Sequence, residues 1–173
     1  MKTYMKLSFF ILLSGLFFSC SKEGPQGPAG YDANVIYSEW FVPSVWKDGA
    51  TDWYFDAAAP DLTQSIVESG VVLAYISFST ADVYNGAVRP LPCYVAGSNW
   101  DFLLPPSPYG SIEFTNDANT APSTVGNPIQ FRFIAIPGLI QAKSAPASIK
   151  GKSVSELKAM PYKDVCKLLN IPE

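Results

Sequence analysis

The chain has 173 residues with 12 basic and 15 acidic side chains, no histidine, three cysteines and a formal net charge of −3. The lack of histidine excludes Ser-His-Asp and Cys-His catalysis and any His-ligated zinc site. A mildly acidic chain whose only arginines are Arg89 and Arg132 excludes nucleic acid as a partner, because phosphate binding demands clustered Lys and Arg.

The N-terminus begins with Lys2 and Lys6 ahead of an apolar run from Leu7 to Phe18. Spanning a bilayer core takes ~20 residues of helix, so this shorter run reads as the h-region of a secretory signal over residues 1–19. Ser19 and Cys20 close it, and the polar Ser21-Lys22-Glu23 follows at once. Removing Lys2 and Lys6 with the signal takes the net charge from −3 to −5 and leaves one domain's worth of chain, long enough to bury a core unaided.

Leu16-Phe17-Phe18-Ser19-Cys20 resembles the lipobox of bacterial lipoproteins. Phe17 and Phe18 stand where that motif has an aliphatic and a small residue. The resemblance implies a diacylglyceryl thioether on Cys20, a second acyl chain on the new N-terminus, and hence a stable membrane anchor. Ser21-Lys22-Glu23 is similar to the export signature of surface lipoproteins of the Bacteroidota, which implies an outer-membrane lipoprotein, surface-exposed or periplasm-facing. An ordinary secretory signal with an incidental Cys20 is the alternative.

Residues 24–32 (GPQGPAGYD) put glycine at the head of three successive triplets, the period collagen needs because only glycine fits at its crowded axis. Residues 20–32 therefore read as a lipidated Cys and a stiff, extended spacer. A homotrimeric stalk joined through the Gly-Pro-x repeat is the other reading.

From residue 33 to 150 short apolar runs alternate with Pro, Gly, Asn and Asp. Strands are predicted over Asn34–Val42, Asp52–Phe55, Val71–Phe78, Leu91–Val95, Trp100–Leu104, Ser111–Thr115 and Pro128–Ile136. VVLAYISF is apolar on both pleat faces, as a central strand should be. In the last run Ile129, Phe131, Phe133 and Ala135 share one face. A short helix is predicted over Asp61–Glu68, capped by Asp61 and closed by Ser69-Gly70. Residues 151–173 read as a helical tail: a Ser153–Glu156 capping box opens one helix, and Pro161 starts a second, with Val165, Leu168 and Leu169 on one stripe. The expected fold is mainly β, an antiparallel sandwich or partly open barrel with a short internal helix and a C-terminal helical tail packed on it.

The motifs GPQGPAG, NVIYSEWF, SGVVLAYISF, PLPCYV, FRFIAIPG and DVCKLLNIPE together resemble small collagen-repeat-bearing lipoproteins of the Bacteroidota, over nearly the whole mature chain. That resemblance implies a cell-surface β domain and brings no catalytic residues.

With Cys20 acylated, Cys93 and Cys166 remain. An even count in an oxidising compartment permits a disulfide, but an apolar strand and an amphipathic helix favour two separate buried thiols. No catalytic or phosphate-binding motif occurs, and no metal or cofactor is implied. Asn116-Asp117-Ala118-Asn119 clusters oxygen donors but reads as a turn rather than a calcium loop. Asp52 and Asp56 form an acid pair that would suit a His-independent, carbohydrate-active hydrolase; solvated loop carboxylates are the simpler reading.

Among the aromatics, Trp46 (beside Lys47-Asp48-Gly49) and Tyr109 (in Pro-Pro-Ser-Pro-Tyr-Gly) fall in predicted loops. They are the candidate contacts for a surface protein or glycan. The sequence thus points to a non-enzymatic envelope lipoprotein that presents its β domain to another surface component.

Overall fold

A computed structural model describes residues 35–78, 86–126, 128–138 and 148–173. The signal, Cys20 and the Gly-Pro-x triplets lie outside the described residues. Strands β1 (Ile36–Tyr37), β4 (Val71–Ser77), β5 (Val88–Pro90) and β9 (Gln130–Ile136) form sheet A in the order β1-β9-β4-β5. Strands β2 (Lys47–Asp48), β3 (Trp53–Ala58), β6 (Cys93–Val95), β7 (Ser98–Leu103) and β8 (Ser111–Asn116) form sheet B in the order β2-β3-β8-β7-β6. Every pairing is antiparallel. The expected sandwich is what forms, without barrel closure.

The centre of sheet A explains why a third layer exists. β4 and β9 run side by side from Val71↔Ile136 to Ser77↔Gln130. Val72, Ala74, Ile76, Phe131, Phe133 and Ala135 face sheet B and form the sandwich core with Trp46, Trp100, Ile112 and Phe114. The alternate residues Leu73, Tyr75, Ile134 and Ile136 are equally buried, under Leu157, Tyr162, Val165 and Leu169 of the tail. A strand apolar on both faces must be covered on both, and here the chain supplies its own cover.

That cover starts with a hairpin of β10 (Ser148–Ile149) and β11 (Lys152–Ser153), which straddles the expected boundary at residue 150. Helix α2 (Val154–Ala159) follows, then α3 (Tyr162–Leu169). The predicted capping box is present: Ser153 Oγ accepts from the Glu156 N–H, and the Glu156 carboxylate accepts from the Ser153 N–H. The internal helix, α1 (Gln64–Ser69), begins later than expected. Thr63 rather than Asp61 is its N-cap, and no side chain caps it. It ends at Gly70, where a Cβ would sit 2.7 Å from the Ile136 carbonyl oxygen, so glycine there permits the helix to turn directly into β4 against β9.

Candidate binding surface

The two sheets differ in what covers their outer faces. That of sheet A lies under α2 and α3, whereas sheet B alternates along β8, with Ile112 and Phe114 buried and Ser111, Glu113 and Thr115 turned outward. Its outer face carries Tyr94 (71% exposed) and Leu103 (53% exposed), together with Lys47, Tyr54, Asp56, Asp101 and Glu113. Single exposed hydrophobic residues need no explanation; the arrangement of charge does.

Asp56 and Glu113 face each other directly across the β3–β8 ladder. Like charges in that position oppose pairing. Lys47 offsets part of the repulsion: its Nζ is 2.7 Å from Asp56 Oδ2 and 5.3 Å from the Tyr54 ring centre. Glu113 forms no ion pair of its own among the described residues, and Lys47 acts on it more weakly, through space. Partial burial, then the charges of Asp56 and Asp52, push its carboxyl above the ordinary value of 4.5.

A carboxyl raised on folding binds its proton more tightly in the native state. Its contribution is therefore full below the unfolded pKa and is lost as pH rises through the folded one. Glu113→Gln is accordingly expected to raise the unfolding free energy measured by urea denaturation at pH 7 by about 0.2–1 kcal/mol, and to leave it unchanged near pH 3. An equal gain at both pH values would show that charge is not the cause.

Trp46 does not lie on this surface. The expected loop contact is 7% exposed and sits in the sandwich core, with Phe131 at 6.0 Å, Trp100 at 6.1 Å and Phe55 at 6.4 Å between ring centres. The Lys47-Asp48-Gly49 segment does turn, the Gly49 N–H donating to the Asp52 carbonyl. Lys47–Asp48 is also the short edge strand β2, so alternation turns Lys47 outward and the preceding Trp46 inward. Tyr109 is half-buried, and its hydroxyl is committed: it donates to Glu68 Oε1 at 2.7 Å, tying the Pro-rich loop to α1. That bond, followed by the one from Gln64, holds the Glu68 carboxyl below its usual range.

Cys93 and Cys166 are free thiols; Cys166 is buried as expected, whereas Cys93 is only half-buried. Cys93 packs against the sandwich core and Cys166 lies in the core beneath the helices, on the other side of sheet A. Asn116 is buried, donating to Ser98 Oγ and to the Asn99 carbonyl, and the Asp117 carboxylate accepts from the Asn99 N–H and its side-chain amide. These bonds close the end of the β7–β8 hairpin. Asp56, one of the acid pair, lies on an open sheet face with Lys47 bound to it.

One group escaped the sequence reading. Arg132, on β9, is 1% exposed. Its Nε donates to the Ser38 carbonyl at 2.8 Å, and its Nη1 to the Tyr162 hydroxyl and to the Pro172 carbonyl at 2.8 Å. The rings of Tyr37, Trp40 and Tyr162 surround the guanidinium at 5.2–5.9 Å. Burial pushes the Tyr162 phenol up to about 12. It stays protonated, and the cation is held by rings and carbonyl oxygens rather than by an anion.

The described chain is thus a three-layer protein, a β-sandwich with helices over one sheet and the other sheet bare. Comparison with known proteins returns no match: no protein-family model, no curated protein and no solved structure is similar to this chain.

Proposed function

We propose that this protein is a non-enzymatic lipoprotein of the cell envelope. A lipid on Cys20 anchors it to the outer membrane, the Gly-Pro-x segment spaces it from the bilayer, and the sandwich docks another surface component through the outer face of sheet B. The anchor rests on the basic, apolar and Cys20 pattern and on the resemblance to collagen-repeat lipoproteins. The observation that carries the docking face is the opposed Asp56–Glu113 pair. Its repulsion is a local cost that Lys47 offsets only in part among the described residues, and such conflicts concentrate at functional positions. With Asp101 on the same face and Lys47 the one cation there among the described residues, the face suits a partner presenting lysine or arginine around a small apolar contact for Tyr94 and Leu103.

Fractionation and affinity capture test the two halves separately. Cys20→Ser is expected to move the protein from the membrane to the soluble fraction; retention in the membrane would refute the anchor. Capture from intact envelopes with the tagged protein is expected to yield a partner that is lost with Tyr94→Ser plus Leu103→Ser and weakened by salt. Capture indifferent to both would place the contact elsewhere.

A further inference from the structure

A groove of about 620 Å³ opens where α3 abuts the β5 edge of sheet A, on the side of the molecule away from sheet B. Its volume is within the ~300–1,000 Å³ of small-molecule sites. Trp40, Val88 and Pro161 line it with apolar surface, while Gln130, Asp164 and Glu173 supply polar groups.

Three properties of this lining select a ligand. The first is that the indole of Trp40 is half-buried and already fixed. The Tyr162 ring meets it edge-on at 5.4 Å, and the Arg132 guanidinium lies 5.9 Å from its centre. A ring held in place loses little freedom when something stacks on it. The second is charge balance. Lys163 Nζ lies 3.4 Å from Glu173 Oε2, so these two charges of the rim offset each other and Asp164 leaves a single net negative charge, which disfavours an anionic ligand. The third is hydrogen-bond type: Gln130 is exposed and offers both a donor and an acceptor, and Asp164 adds acceptors. A tryptophan in the lining beside paired donors and acceptors matches a molecule with one C–H face and a fringe of hydroxyls.

We propose that this groove binds a neutral saccharide, with a pyranose ring stacked on Trp40 and its hydroxyls bonded to Gln130 and Asp164. A peptide fits less well. The bordering edge strand β5 has only three residues and ends on Pro90, which has no N–H to extend a ladder. The inference does not depend on the anchor or on the sheet B face.

Nuclear magnetic resonance of the full chain in detergent tests it, with the Trp40 indole N–H as reporter and cellobiose, mannobiose and di-N-acetylchitobiose as probes. At least one disaccharide is expected to shift that signal saturably. Gln130→Ala, a change at an exposed side chain, is expected to weaken binding by about three- to tenfold with the spectrum otherwise preserved. Absence of a saturable shift with all three sugars, or a shift unaffected by Gln130→Ala, would overturn the proposal. So would a response to an unstructured peptide mixture alone.

Discussion

Arg132→Ala is expected to lower the stability of the protein by about 3–5 kcal/mol, a large share of the roughly 5–15 kcal/mol available to a domain. Three acceptors, the Ser38 and Pro172 carbonyls and the Tyr162 hydroxyl, lose a charged donor together. Each such bond contributes about 1.5–3 kcal/mol. Three rings lose the group they pack against. Relief of guanidinium desolvation offsets part of this sum, which is why the expected loss is below the simple total. Arg132→Met separates the contributions, since it fills most of the volume without the charge. Pro172 is exposed and Ser38 half-buried, so water can reach their freed carbonyls, and the Met variant should lose less than half as much. Urea denaturation measures both. Because the bonds run to the N-terminal segment and to the tail, hydrogen exchange in Arg132→Ala should rise first in α3 and around Ser38. A loss under about 1 kcal/mol in Arg132→Ala would mean that the clamp contributes little.

The clamp belongs to the second face of β9, which the alternation from Ile129 to Ala135 does not describe. Ile129, Phe131, Phe133 and Ala135 declare one buried face, and they occupy it. Ile134 and Ile136, on the other face, declare a second buried face just as plainly, and Arg132 shares it. An arginine in line with two isoleucines on a central strand is the signal that it must be enclosed and satisfied locally. The same logic holds for VVLAYISF, which is apolar on both faces and covered on both. Local chemistry was legible wherever the determinant is short in range, as in the Ser153–Glu156 box and the Val165/Leu169 stripe. It was not legible where pairing with a distant strand decides. The bare face of sheet B and the Asp56–Glu113 opposition exist only once β3 and β8 are in register, more than fifty residues apart in the chain.

Trp46 shows the same limit, and it carries the other large expected effect. Trp46→Ala should cost about 3–5 kcal/mol, because the indole fills the sandwich core between Phe55, Trp100 and Phe131. Few neighbours can close the gap: Phe131 is itself held against Phe114 at 4.7 Å, and Trp100 Nε1 donates to the Val95 carbonyl. Trp46→Phe keeps a ring and should lose markedly less. Urea midpoints for the two variants, with near-ultraviolet circular dichroism for core order, test the assignment. A Trp46→Ala unfolding free energy within about 0.5 kcal/mol of the parent would return this side chain to the surface. The size of the effect also governs how binding experiments are read. Lost capture by Trp46→Ala would report a disordered core rather than a missing contact. Changes at Tyr94, Leu103 and Glu113 leave that core intact, because alternation along β6, β7 and β8 turns those side chains away from it.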